Sequence, residues 1–352
     1  MKSKKFFCML FALMFVFFVT LANMGCGGGA SSISNGNSTI AQNEIPIDEE
    51  HFWDYVFMEY VRMFDLDGDD FLNEAEIAAV TVIDIKGVMN YESSAVSQDN
   101  DSSITMMRGI EYFTALESLD CSGNNLTELD LSNNTTLKYL NCRNNRLTKL
   151  NLFNNTALLN LDCCSNQLTA LDISNNTALK YLACYWNQLT ELDISKNTAL
   201  RELNFSNNNI SEINISNNPS LETLICSKNG SLRSVNITNC SALKKIELDS
   251  DPQLTNLNVV NCPALEELSC SNPPTYDGRP HIKGILTSLN VSNCTALEDL
   301  NCAGNQLTNL DVSSCIALRI LICHTNQLTT LDIRNNQRLD FLKCGPNVTV
   351  LR

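Results

Sequence analysis

The sequence predicts a repeat solenoid of about eleven rungs, mostly β with little helix, preceded by a small helical cap. Three observations carry the prediction. A leucine-centred phrase returns every 21 residues from Leu116 onward, apolar and polar residues alternate within each phrase, and residues 51–80 show helical spacing on either side of an acidic loop. The 352 residues carry a formal net charge of −15 and include sixteen cysteines, three histidines and two tryptophans. A surface this acidic, without clustered Lys or Arg, would repel a phosphate backbone, so no nucleic-acid partner is expected.

From the start of the chain, Lys2, Lys4 and Lys5 precede an apolar run from Phe6 to Leu21, and small residues lead to Cys26. This is the layout of an export signal, residues 1–25, removed from the mature fold. Its ending resembles a bacterial lipoprotein signal, in which Gly25 precedes a cysteine that becomes the lipidated first residue. Asn23 stands where that family usually has Leu, which leaves plain cleavage after Ala22 as the alternative. Residues 26–46, rich in Gly, Ser and Asn, read as a flexible tether. No sorting signal follows the last rung, so anchoring is expected to rest on Cys26. The expected location is the cell envelope, lipid-anchored at an outer membrane or cell surface, with secretion as the alternative.

Residues 47–86 read as the cap. Asp48 can cap a first helix on which Phe52, Val56, Tyr60 and Phe64 share one face. Asn73 and Glu76 form a capping pair for a second helix, with Ile77 and Val80 facing inward. The loop between them, DLDGDDFLNEAE, resembles an EF-hand. That resemblance assigns Asp65, Asp67, Asp69, the Phe71 carbonyl, Asn73 and Glu76 as oxygen ligands around one calcium ion, a hard cation that needs several oxygens. Asp70 is the departure, because the position normally holds Gly at positive φ; aspartate reaches that region better than most residues. An acidic surface loop without metal is the plain alternative. Dockerins pair two such loops and only one is found here, so calcium is expected to brace the cap. Residues 87–104 form a polar connection, and GIEYFTALESL, residues 109–119, resembles the join to the first rung.

The repeat domain is expected over residues 105–352, with rungs starting at Leu116, Leu137, Leu158, Leu179, Leu200, Leu221, Leu243, Leu265, Leu297, Leu318 and Leu339. In L-x-x-L-x-C-x-x-N, alternation puts the second Leu and the Cys on one face of a short strand. Stacking in parallel at about 4.8 Å then gives a sheet roughly 50 Å long. Asn124, Asn145, Asn166, Asn187 and Asn208 recur as one column, and Asn134, Asn155, Asn176, Asn197 and Asn218 as a second. Such amides, turned inward, can bond backbone groups freed where strands turn. No segment of a rung is long enough for a helix, so extended backbone is expected on both long sides. The 21-residue unit with cysteine at the third core position is similar to the internalin J type of leucine-rich repeat found in bacterial surface proteins. This resemblance implies a right-handed solenoid with a ladder of mostly free thiols.

Nine cysteines hold that inward position: Cys121, Cys142, Cys163, Cys184, Cys226, Cys270, Cys302, Cys323 and Cys344. Cys240, Cys262, Cys294 and Cys315 replace the second Asn and make a further ladder. Parallel Cα–Cβ vectors suit a disulfide poorly, and a straight row of thiols does not converge as zinc requires. Phe205 and Leu248 fill the site in two rungs, so the cysteines read as small core hydrophobes. Cys164 is the exception, expected to turn outward and be accessible.

Function is expected on the outward strand positions. Tyr139, Asn141, Arg143, Tyr181, Tyr185 and Trp186 bring residue types that dominate binding energy to rungs two to four of the concave face. Their stacking on one another across strands is the structural alternative. The insertion SNPPTYDGRPHIKG, residues 271–284, is a second candidate. No rung sets a base beside a nucleophile, so no catalysis is expected. The chain reads as a non-catalytic envelope or secreted binding protein for a protein or glycan ligand, with a structural calcium site. The alternative is a structural or self-associating envelope protein.

Overall fold

The structure, a computed structural model, describes residues 44–87, 103–272 and 284–352. The export signal, Cys26, all of the tether before residue 44, most of the connecting loop and most of the 271–284 insertion lie outside these residues. Among the described residues no helix is long and apolar enough to cross a membrane.

Two short helices and three short strands make the cap. Strand β1, Ile45–Pro46, pairs antiparallel with β2, Phe71–Leu72, which lies in the second half of the acidic loop. The expected tether boundary at residue 46 therefore falls inside the folded cap. Helix α1 is Tyr55–Val61, capped by Asp54, whose Oδ1 accepts from Val56 N at 3.0 Å and Phe57 N at 3.2 Å. The cap is thus Asp54 and not Asp48, which instead closes a turn by accepting from the amides of Glu50 and His51. The later start also shifts the buried face of α1 to Phe57, Met58 and Val61, while Val56, Tyr60 and Phe64 are only partly buried. Helix α2, Glu74–Ala79, has the expected Asn73/Glu76 capping box.

Strand β3, Val82–Asp84, had no counterpart in the sequence reading, and it joins the cap to the rungs by pairing in parallel with Ser118–Asp120. Aromatic packing completes the joint. Phe52 meets Phe57 and Tyr112 edge-on, and Phe64 lies edge-on to Phe113 with ring centres 5.6 Å apart. Gly109, at φ 102°, sits against the Phe52 ring, where a Cβ would collide.

The rungs form a parallel sheet of twelve strands that begins with β3 and includes Tyr139–Asn141, Asn160–Asp162, Tyr181–Ala183 and Glu202–Asn204, ending at Phe341–Lys343. Each strand is three residues long with its central Leu or Ile turned inward, and register is exact from rung to rung. After most strands come a buried residue, usually Cys, an outward residue and then a residue at positive φ: Asn144, Ser165, Trp186, Asn207, Lys228, Ser250 and Thr325, with Gly123 and Gly304. The next position is the first asparagine column. Asn166 is typical: its Nδ2 donates to the carbonyls of Cys142 and Cys163 at 3.0 and 3.1 Å, and its Oδ1 accepts from Leu147 N at 3.0 Å. One buried amide therefore ties three backbone groups of successive rungs. In the second column Asn176 donates to the carbonyls of Leu152 and Asn155, while its Oδ1 has no partner.

The second long side is only partly a sheet. Strands Glu212–Asn214, Ser234–Thr238, Asn256–Val260 and Ser288–Asn290 pair in parallel, and Thr330–Asp332 pairs with Thr349–Leu351. Elsewhere on this side the chain turns without strand pairing, contrary to the expectation of extended backbone throughout. The pairing strands carry Asn214, Asn236, Asn258 and Asn290 in one column. Rungs outside them carry Asp130, Asp172, Asp193 and Asp311, each accepting from the amide two residues on. Carboxylates stacked at strand spacing repel, whereas amides bond to one another, which favours the four-strand sheet at its run of neutral residues; Asp332 also lies in a paired strand, but opposite Leu351 and bonded to Arg334.

Candidate functional site

The acidic loop is set between α1 and α2 by its own turn chemistry. Asp65 accepts from the amides of Gly68 at 2.7 Å and Asp69 at 3.3 Å through Oδ1, and from Asp70 N at 2.9 Å through Oδ2. Partial desolvation pushes its pKa up, but these amide bonds outweigh it and hold the carboxyl below the usual range. Asp70 takes φ 65°, so aspartate does supply the left-handed turn that normally requires glycine. Its carboxylate pairs with Arg62 at the end of α1. Glu76 is buried, with Oε1 accepting from Leu66 N at 2.6 Å and Oε2 from Asn73 N at 3.0 Å, which aims the carboxylate back into the loop.

Asp65, Asp67 and Glu76 each bring an oxygen within 4.8 Å of the others. Partial desolvation, then the charges of Asp69, Glu76 and Asp65, hold the Asp67 carboxyl above its ordinary range. Three hard oxygens converging on one point fit a divalent cation of the calcium or magnesium class. The remaining assigned ligands are placed differently. Asp69 accepts from Phe71 N at 2.9 Å, and the Asn73 oxygen caps α2 through Ala75 N and Glu76 N. Phe71 lies in β2 opposite Pro46.

On the long sheet, Tyr139 and Tyr181 share one register column, separated by Asn160, and Asn141 shares the next with Asp162 and Ala183. Tyr139 is 45% exposed. Asn141 is held in place, donating to Asp120 Oδ2 at 2.9 Å. Arg143 is exposed, and Tyr181 and Tyr185 are partly buried, with burial pushing both phenols up. Cys164 contradicts the sequence expectation. It is only 2% exposed, lies between Arg143 and Tyr185 in its column and interacts with the Tyr185 side chain, and burial pushes its thiol up to about 12. Alternation does place it on the outer face, but large neighbours from adjacent rungs cover it. A thiol in that state is a poor nucleophile.

Trp186 stands out for a different reason. It takes φ 56° and stays 59% exposed, at a turn position that sister rungs fill with Asn, Ser, Lys, Thr or Gly. A bulky side chain in that region is strained, at a cost of order 1 kcal/mol, and here burial does not offset it. The sequence reading singled out Trp186 by residue type alone; the turn strain needed backbone angles.

All fourteen described cysteines are free thiols, and all but Cys344 are fully buried. Phe205 and Leu248 are equally buried in place of two of them. The second ladder donates to backbone carbonyls, Cys240 Sγ to Ile215 O at 3.2 Å and Cys294 Sγ to Val259 O at 3.4 Å. Sequence reasoning missed that the first asparagine column continues through Asn229, Asn305 and Asn326, with Asp251 in one rung. Asp251 is 1% exposed; its Oδ1 accepts from Asn229 N at 2.6 Å and its Oδ2 has no partner. Carrying the rung alignment across the insertion would have revealed it.

No family profile matches the chain and no curated protein aligns with it. Solved structures do. The functional domain of InlJ from Listeria monocytogenes, described as including a cysteine ladder, is 29% identical, covering 88% of this chain and 77% of that one with a TM-score of 0.44. An internalin, InlF, from the same organism is 19% identical over 88% of this chain and 99% of its own, with a TM-score of 0.52. The leucine-rich repeat domain of APL1 is 23% identical over 72% and 68%, with a TM-score of 0.54. Together with the parallel rungs and their inward leucines, the likenesses to InlF and APL1 make the fold a leucine-rich repeat solenoid, built almost entirely of β-strands and turns and preceded by a short helical segment.

Proposed function

We propose that the chain is a non-catalytic recognition or adhesion protein that binds a protein or glycan ligand through the long sheet, centred on Tyr139, Arg143, Tyr181, Tyr185 and Trp186. Trp186 carries this reading: a strained, exposed aromatic that the fold does not need is retained beside a column of tyrosines. Aromatic and Arg side chains on a rigid sheet give contact area with little loss of freedom on binding. Export through the segment 1–25, anchoring at Cys26 and a place in the envelope belong to the same proposal and rest on the sequence. So does calcium in the cap, where Asp65, Asp67 and Glu76 would hold the ion and Asp69, Phe71 and Asn73 complete the expected set.

Substitution of the strained residue separates function from stability. Trp186→Asn relieves the turn, so its melting temperature should rise or hold while binding in a screen against surface proteins and glycans weakens about tenfold. Binding equal to wild type in both this variant and a Tyr139→Ala/Tyr185→Ala variant would sink the proposal. Concentration-dependent oligomers in light scattering, with no ligand found, would favour the self-associating alternative. For the cap, calcium should raise the melting temperature of the wild type and not that of Glu76→Gln.

A further inference from the structure

The short sheet carries a face that the tyrosine patch does not use. Its four strands bring Asn214, Asn236, Asn258 and Asn290 into register. Their amides bond side by side, Asn236 donating to Asn214 at 3.3 Å, Asn258 to Asn236 at 3.0 Å and Asn290 to Asn258 at 3.1 Å. A second row runs beside the first along the turn, where Asn239 donates to Asn217 at 3.4 Å, Asn261 to Asn239 at 3.1 Å and Asn293 to Asn261 at 2.9 Å. Ser216, Thr238, Val260 and Ser292 fill the strip between the rows. Every one of these side chains is exposed or partly exposed.

An amide has two donors and two acceptor sites. In the second row each interior amide spends one of each along the row and keeps the others for the outside; in the first row Ser216 and Ser292 take up part of the remainder. The rung itself does not require amides, since Asp172, Asp193, Asp311 and Asp332 serve at the same position in rungs on either side. Asparagine in four consecutive rungs removes charge from a chain whose net charge is −15. Glu212 is the one charged residue within the four strands, and Arg233 flanks them.

Chemistry narrows what such a face can hold. It offers no cluster of cations for a phosphate or a uronate. Its single apolar side chain, Val260, is too little for the apolar centre of a protein interface. Fixed amides and hydroxyls, donors and acceptors interleaved, repeat at the strand spacing of about 4.8 Å. Sugar rings in an extended chain repeat at a similar distance and present the same mixture of donors and acceptors. Amides already locked by their row bonds lose little freedom on binding. We propose that this face binds an extended, uncharged polysaccharide laid along the stack of rungs, independently of the long-sheet patch.

The test measures retention of the full chain on insoluble cellulose and chitin across protein concentration, with anionic alginate as control. Wild type should be retained on at least one neutral polymer and not on alginate. Asn236→Asp/Asn258→Asp, which restores charge, should bind about tenfold more weakly while Trp186→Asn binds as wild type. Should the aspartate pair unfold, Asn236→Ser/Asn258→Ser breaks the rows without charge and should weaken retention in the same way. Failure of wild type to bind either neutral polymer overturns the proposal. So does equal retention of folded row variants, or loss of retention in Trp186→Asn, which would move the binding to the long sheet.

Discussion

Two columns of buried asparagine run through the rungs, and they accept different substitutes. In the first, each amide works at both ends: Asn166 and Asn187 donate to carbonyls and accept a backbone N–H. The replacement found there is Asp251, which keeps the acceptor. In the second column Asn155, Asn176 and Asn197 only donate, and their oxygens lack partners. The replacements there are Cys240, Cys262, Cys294 and Cys315, each donating weakly to a carbonyl through sulfur at 3.2–3.8 Å. A thiol is a weak donor and makes no demand for an acceptor's partner. The cysteines thus mark where half an amide suffices, and no redox or metal role is needed to explain them.

The largest effect that would break this comparison lies in the first column. Asn166→Ala leaves Leu147 N unpaired in the core and removes one of the two amide bonds at each of the Cys142 and Cys163 carbonyls, which Asn145 and Asn187 still serve. At roughly 1–3 kcal/mol for the unpaired N–H and about 0.5 kcal/mol for each second bond lost, the loss should be about 3 kcal/mol by denaturant melt, and Asn166→Cys should do nearly as much damage. If instead Asn166→Cys is tolerated, the difference between the columns is illusory.

A comparable effect belongs to Asp251. Burial first, then the neighbouring Asp249 charge, push its carboxyl up to about 8, against an ordinary value near 4, although amide bonds from Asn229 and Lys228 oppose the shift. The folded state therefore holds the proton more tightly than the unfolded chain. Stability is greatest below the unfolded value and is lost as pH rises through the window between about 4 and 8. When protonated, the free oxygen becomes a donor, as the asparagine amide is in sister rungs. Asp251→Asn should stabilise the protein by about 3 kcal/mol at neutral pH and flatten that slope, with melts from pH 4 to 8 as the measure. A slope unchanged in the variant would place its origin elsewhere.

The smallest effect sharpens the comparison from the other side. Asn176→Cys forfeits the bond to either Leu152 O or Asn155 O and weakens the one it keeps, so about 1 kcal/mol should be lost. A loss equal to that of Asn166→Cys would show that the two columns are alike.

Much of this molecule was legible because a 21-residue period repeats the same local chemistry. The inward Leu and Cys, both asparagine columns, the α2 capping box and the positive φ of Asp70 all depend on residues within one rung or one loop. What the sequence hid depends on neighbours one rung away. Cys164 is covered by side chains 21 residues before and after it, Arg143 and Tyr185. The four-strand sheet coincides with four consecutive neutral side chains in one column, which no single rung reveals. Asp48 and Asp54 are both chemically competent caps, and Asp54 has the further bonds from Thr105 that fix it against the first rung. Of the calcium set, three carboxylates meet as their spacing implies, whereas the Asn73 oxygen serves the helix that spacing also asks it to cap.

The pairing of Ile45–Pro46 with Phe71–Leu72 has a mechanical consequence. A pull on the chain ahead of residue 45 meets this two-residue ribbon first, and its far strand lies within the acidic loop. The bond from Ile47 N to Asp70 O lies on the same line of force. A protein held by its leading end would therefore load the loop's own strand first, and stiffening that loop would raise the force at which the ribbon parts.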